Sequence, residues 1–295
     1  EVEADYLLET LQLAPTNTQR LNGLMIVGEV GENLGTSIAG GGPLNDDYNN
    51  DGFADLLIGS PNAQTAGGFH AGQVALVYGG ENLLNPSGGI TIAQLVARES
   101  PVHKRRSAML LTGSNAFDAA GTTVANAGDI NRDRVPDILI SAPDGPRANP
   151  DPNISANYGL PFVEFDTDGD GLDDAIGLDR EGDGVADDLN VDGQPDDLTA
   201  AGLVYVVFGG KHLTGTIGLN QIGSANLPGF VLVGRKAGDH MGGGTTQGDL
   251  LARGVAPAGD IDGDGRGDIL IGSILADPEG KTDAGEVYLV YGFAP

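Results

Sequence analysis

Asp260-Ile-Asp262-Gly-Asp264-Gly265-Arg-Gly-Asp268-Ile-Leu-Ile-Gly-Ser273 sets oxygen-bearing side chains at positions 1, 3, 5 and 9 of a loop, then runs straight into an apolar strand. The same grammar occurs twice earlier. Asp47-Tyr-Asn49-Asn-Asp51-Gly52-Phe-Ala-Asp55 precedes Leu-Leu-Ile, and Asp129-Ile-Asn131-Arg-Asp133-Arg134-Val-Pro-Asp137 precedes Ile-Leu-Ile. Side-chain oxygens so spaced, with the main-chain carbonyl of position 7, wrap a hard cation of calcium size at about 2.4 Å. Asp and Asn also serve simply to satisfy turn amides, but three copies at matched strand positions favour metal. The turn wants Gly at position 6, and the second copy has Arg134 there. A left-handed backbone costs a non-Gly residue roughly 1 kcal/mol or more, and the guanidinium repels a cation, so this loop is the weakest of the three.

The loops mark the phase of a larger repeat. Leu24-Met-Ile-Val-Gly28, Met109-Leu-Leu-Thr-Gly113 and Phe230-Val-Leu-Val-Gly234 each lead through a Gly-rich segment to an acidic loop. The copies close on Val74-Ala-Leu-Val-Tyr-Gly-Gly80, Leu203-Val-Tyr-Val-Val-Phe-Gly-Gly210 and Val287-Tyr-Leu-Val-Tyr-Gly292. Residues 1–295 thus read as one domain of repeats 1–80, 81–210 and 211–295. The apolar runs are short, rich in Val, Ile, Leu and Tyr, and bounded by Gly, Asn, Asp and Pro, which is strand grammar. Four runs per unit predict a four-stranded antiparallel sheet that must stack on its neighbours to bury both faces. The expected fold is all-β, a β-propeller-like array of three such blades. Helix is expected only over 6–13 and 92–98.

The repeats resemble the FG-GAP repeats of integrin α-subunit propellers and of many secreted bacterial proteins. The Gly-Ala-Pro element of that family appears here as Gly59-Ser-Pro61, Ser141-Ala-Pro143 and Gly272-Ser-Ile274. The resemblance implies a propeller whose acidic loops join the first two strands of each blade and bind calcium, with a non-catalytic role in adhesion or assembly.

The second repeat carries an irregular acidic insertion at about 150–200: the loops start 82 residues apart between the first two repeats and 131 between the last two. Residues 163–198 hold fourteen Asp and Glu against one Arg. A smaller motif recurs inside, as Asp166-Thr-Asp168-Gly-Asp170-Gly-Leu-Asp173-Asp174, Asp179-Arg-Glu181-Gly-Asp183-Gly-Val-Ala-Asp187-Asp188 and a degenerate third copy from Asn190 to Asp197. It resembles thrombospondin type 3 calcium repeats, which makes Asp166, Asp168, Asp170, Asp174, Asp179, Glu181, Asp183 and Asp187 further candidate ligands. With few apolar residues the insert is expected to build no core and to stay extended without metal. A solvated acidic linker is the plainer alternative.

Composition sets the limits. A net charge of -27 gives no basic face for nucleic acid. The absence of Cys excludes disulfides and thiolate sites, and no run reaches the eighteen or so apolar residues of a membrane span. A chain opening Glu-Val-Glu reads as a processed product, secreted or held at the cell surface. Arg266-Gly-Asp268 spells an adhesion tripeptide, but Asp268 is already a loop ligand. His103-Lys-Arg-Arg106 reads as a solvated basic loop, and Gly40-Gly-Gly42 and Gly242-Gly-Gly244 as close strand approaches. His70, His212 and His240 lack ligand spacing and pair with no nucleophile. The expectation is a non-enzymatic calcium module with a protein partner or self-association; a propeller domain of a secreted hydrolase or lyase is the alternative.

Three blades fall short of the four to eight that propellers carry. The N-terminal strand near Leu24 completing the last sheet in a small ring, two chains making six blades, head-to-tail chains and a longer array are all open completions, with assembly favoured.

Overall fold

The structure is a computed structural model, and it describes residues 23–40, 46–80, 83, 89–99, 106–148, 158–167, 175–188, 194, 196–244 and 254–293. The first part of the chain forms β1 (Met25–Val27), β2 (Ser37–Gly40), β3 (Leu56–Ser60), β4 (Gln73–Val77) and β5 (Gly89–Thr91). Helix α1 (Ile92–Ala97) follows, opened by the N-cap Thr91, which exchanges backbone and side-chain hydrogen bonds with Gln94 in a capping box. Next come β6 (Ala108–Thr112), β7 (Val124–Gly128), β8 (Asp137–Ala142), β9 (Phe162–Phe165), β10 (Ala175–Leu178) and β11 (Leu203–Val207). The last are β12 (Thr216–Gly218), β13 (Gly229–Val233), β14 (Val255–Gly259), β15 (Asp268–Ser273) and β16 (Glu286–Val290). The helix expected over 6–13 lies outside the described residues.

Three sheets carry the architecture. The first runs β2-β3-β4-β6 antiparallel, with β12 added parallel to β6; the second runs β7-β8-β11-β13, and the third β14-β15-β16. Each acidic loop joins the first two strands of its sheet. The expectation of one four-stranded sheet per sequence repeat is corrected in two ways. Sheets of five, four and three strands form, because the fourth strand of each sheet is supplied by the opening of the next repeat, β6 for the first and β13 for the second. In addition, β1 does not complete the last sheet; it pairs parallel with β5.

The sheets stack through apolar residues that alternate along each strand. Ile138 and Ile140 on β8 meet Leu57, Val74 and Leu76 of the first sheet, while Leu139 points the other way, towards Ile269 and Ile271 of the third. On the far side of the first sheet, Ile58, Ala75 and Val77 are covered by Ile90, Ile92 and Leu95. Strand β7 lies between β2 and β14, so the first strands of the three sheets are neighbours. Gly59 allows a close approach of sheets: a Cβ there would lie 2.0 Å from the Gly121 carbonyl oxygen.

The insert departs from expectation. Strands β9 and β10 form an antiparallel hairpin, and Tyr158, Phe162 and Ile176 pack into the main core. Few apolar residues suffice because they complete an existing core instead of founding one. Residues 168–174, 189–193 and 195 of the insert are outside the described residues.

Candidate metal centre

The loops fold into one repeated turn. In the first, the position-1 carboxylate of Asp47 accepts the amides of Asp51 (2.8 Å) and Gly52 (2.7 Å). In the second, Asp129 accepts those of Asp133 (3.0 Å) and Arg134 (2.8 Å). In the third, Asp260 accepts the amide of Gly265 (2.9 Å) and Asp262 that of Asp264 (3.0 Å). The position-5 carboxylates of Asp51, Asp133 and Asp264 each accept the amide two residues on, at 2.8 to 3.0 Å. The second motif of the insert makes the same turn, with Asp179 accepting from Gly182, Asp183 and Gly184 and Asp183 from Val185.

Backbone conformation explains which residues these turns need. Position 6 is left-handed in all four, at φ 93° for Gly52, 71° for Arg134, 84° for Gly184 and 84° for Gly265. Arg134 therefore takes up the conformation that Gly adopts elsewhere. Position 4 is left-handed as well, in Asn50 (55°), Arg132 (65°), Gly182 (75°) and Gly263 (77°). Sequence reading overlooked this second requirement, although Asn and Gly at position 4 are its signature.

The ninth residue is a clamp. Asp55, Asp137 and Asp268 are fully buried. One oxygen of each accepts the position-2 amide of its own loop, from Tyr48 (3.0 Å), Ile130 (2.8 Å) and Ile261 (2.6 Å). The other accepts the amide of the glycine after the sheet's third strand, Gly79 (2.9 Å), Gly209 (3.0 Å) and Gly292 (2.8 Å). One carboxylate thus ties loop, second strand and third strand together. A carboxylate oxygen has about two acceptor directions, so one amide each leaves room for a cation.

The electrostatics favour one. Burial pushes the carboxyls of Asp55 and Asp137 up to about 7, against the amides of Gly79 and Gly209 that hold them down, and their neighbours Asp51 and Asp133 raise them further. A cation would relieve both the burial penalty and the repulsion.

The loops differ in how far they converge. In the third, oxygens of Asp260, Asp262 and Asp268 lie within 4.8 Å of one another, the span of two ligands on opposite sides of a calcium ion at about 2.4 Å. Asp264 turns instead to Arg266 Nη1 at 2.8 Å, and that guanidinium holds its carboxyl below the usual range. In the first loop, Asn49 Oδ1 at ligand position 3 is buried without a hydrogen-bond partner. In the second, Asn131 Oδ1 accepts the Asp133 amide at 2.9 Å and Asn131 Nδ2 donates to Asp133 Oδ2 at 3.2 Å. Asp179, Glu181, Asp183 and Asp187 share the turn of the insert, where Arg180 Nε stands 3.5 Å from Asp187 Oδ2. Asp166 directly follows β9, and Asp168, Asp170 and Asp174 lie outside the described residues.

The other sequence features take local roles. Both oxygens of Asp268 are engaged, one by the Ile261 amide of the loop and one by the Gly292 amide after the third strand, so Arg266-Gly267-Asp268 does not present its carboxylate. His240 Nδ1 meets the Pro143 carbonyl at 3.0 Å and Asp144 Oδ1 at 3.1 Å. His212 Nε2 meets the Phe208 carbonyl at 3.1 Å. His70 stacks on Phe69 at 3.8 Å. Of the basic cluster, Arg106 donates to the Val96 carbonyl at 3.0 Å, and residues 103–105 are outside the described residues. Gly242 packs against Ser141 and Val204, a close strand approach.

The FG-GAP repeat family matches residues 39–77 and 252–290. These stretches span the three inner strands and the acidic loop of the first and third sheets. FG-GAP repeats build β-propeller modules that are often extracellular, and the all-β stack of sheets fits one. No curated protein matches the chain. Among the described residues, no helix is long and apolar enough to cross a membrane.

Proposed function

We propose that the FG-GAP repeats of this chain form a secreted or cell-surface calcium-binding module that acts as a binding and assembly scaffold, not as an enzyme. One observation carries the calcium reading: the same nine-residue turn recurs between the first two strands of each of the three stacked sheets, with a buried ninth carboxylate joined to the third strand. The candidate ligands are Asp47, Asn49, Asp51 and Asp55, Asp129, Asn131, Asp133 and Asp137, and Asp260, Asp262, Asp264 and Asp268. The insert adds Asp179, Glu181, Asp183 and Asp187. Calcium in these loops would replace repulsion between carboxylates by a bond network spanning three strands. Extracellular modules typically hold calcium at about 0.1 to 1 mM, which suits the assigned setting. The scaffold role is supported by the engagement of His70, His212 and His240 with ring and carbonyl groups, which leaves them no common reacting centre.

Asp262→Ala provides the test, because this residue is an exposed candidate ligand whose hydrogen bond from the Asp264 amide stays within the loop and does not clamp the strands. Calcium titration by calorimetry is expected to show one site fewer in the variant, with the metal-free melting temperature little changed. Identical calcium isotherms for the two proteins would remove the third loop from the metal sites.

A further inference from the structure

We propose that the open outer edge of β16 takes strand β1 of a second copy of this chain, so that copies join head to tail and each junction builds one complete five-stranded blade. This deepens the assembly reading; it rests on the blade architecture and not on calcium.

The chain carries a full example of such a blade and the two unequal parts of another. The first sheet has three inner strands, an antiparallel fourth strand β6, and a fifth, β12, parallel to β6 through Leu110↔Thr216, Leu111↔Ile217 and Thr112↔Gly218. The third sheet has the three inner strands, and among the described residues no strand pairs with the outer edge of β16. The β1–β5 pair is the missing remainder. Its register, Met25↔Gly89, Ile26↔Ile90 and Val27↔Thr91, is parallel and three residues long like that of β6 and β12, and β1 corresponds to β6 in the sequence repeat.

The faces complement each other as the edges do. Leu57, Val74 and Leu76 of the first sheet and Leu139, Val204 and Val206 of the second are equivalent triplets, and both are fully buried under the following sheet. The third triplet, Leu270, Val287 and Leu289, is exposed, Val287 by 73%. The covering side shows the same gap. Val124 and Val255, on the first strands of the second and third sheets, are buried beneath the preceding sheet, whereas the equivalent Ile38 on β2 is 57% exposed. Docking Ile38 of one copy over Leu270 and Leu289 of another repeats an interface the chain already makes twice. The edge pairing gives direction through main-chain hydrogen bonds, and because the contact is heterologous, copies extend into filaments or close into larger rings.

Register makes the proposal specific. Val74↔Leu111 and Val204↔Leu232 pair across the third and fourth strands of the two complete sheets, so Val287 should face Ile26 of the next copy. The chain has no cysteine, and an engineered pair must bring Cα atoms to about 4.4 to 6.8 Å to bond. The double variant Ile26→Cys/Val287→Cys, oxidised mildly, is expected to give a ladder of covalent oligomers. The shifted pair Leu24→Cys/Val287→Cys is expected to give several-fold less. Leu289→Asp, at an exposed site, is expected to keep the monomer's melting temperature and to lower the sedimenting mass. A cross-linked species of monomer mass would show closure within one chain and overturn the proposal. So would a wild-type protein that sediments as a monomer, or oligomers indifferent to Leu289→Asp. Running the series in calcium and in chelator separates the two readings: oligomers without any calcium-dependent melt would remove the metal and keep the junction.

Discussion

Arg134 shows how far a single backbone angle shapes a site. Its left-handed conformation, φ 71°, is forced by the turn, since the Asp129 carboxylate must collect the amides of residues 133 and 134. Gly adopts that conformation without steric cost, while a residue with a Cβ gives up roughly 1–2 kcal/mol. Arg134→Gly is therefore expected to raise metal-free stability by about 1 kcal/mol, read by urea denaturation, and to tighten calcium in the second loop by removing a cation. Weaker calcium binding in this variant would show that the guanidinium assists the site. The position-6 requirement was legible in the sequence because Gly52 and Gly265 mark it. The position-4 requirement was missed, because Arg132 interrupts the series that Asn50 and Gly263 mark.

At the scale of elements, the hairpin of the insert is attached to the second sheet's surroundings by a buried pair. The Tyr158 hydroxyl donates to Asp118 Oδ1 at 2.6 Å. Burial pushes the Asp118 carboxyl up to about 7, with the hydrogen bonds from Tyr158 and Asn115 holding it lower than burial alone would. Asp118 is unperturbed near 3.9 in the unfolded chain, so between about pH 4 and 7 the folded state binds a proton that the unfolded state has released. The stability from this group is complete below about pH 4, falls as pH rises to about 7, and changes little beyond. In chelator, melting temperature should decline over that window, and Asp118→Asn should flatten the decline. An unaltered slope would place the proton uptake on other carboxyls. Sequence reading missed this pair, since Asp118 and Tyr158 are forty residues apart and belong to no motif.

For the whole molecule, the acidic loops sit at equivalent joints of the stack, so calcium bound as proposed would act on the array and not on one sheet. Gly267 donates to the Asp129 carbonyl at 2.9 Å and Gly210 to the Tyr48 carbonyl at 2.7 Å, which joins each loop region to the neighbouring sheet. At about 100 times its dissociation constant, a ligand adds roughly 2.7 kcal/mol per site. Chelation should therefore lower the melting temperature sharply, by several degrees or more for each site emptied, and restoring calcium should reverse the loss. A scanning-calorimetry trace unchanged by chelator would count against structural calcium in all the loops.

The sequence by itself determined the repeat, its phase, the strand-forming runs and the position of each acidic loop. These depend on local spacing, on alternation of apolar residues and on turn chemistry, which neighbours in the chain decide. The helix at α1 was legible for the same reason. Tertiary structure alone decided which strand closes which sheet, because pairing β6 with β4 and β1 with β5 depends on edges brought together from different repeats. It also decided that the insert's Tyr158, Phe162 and Ile176 enter the main core, since their worth lies in a cavity other segments create. Finally, it decided that Asp55, Asp137 and Asp268 are clamps as well as candidate ligands, because the glycine amides they hold lie 24, 72 and 24 residues away.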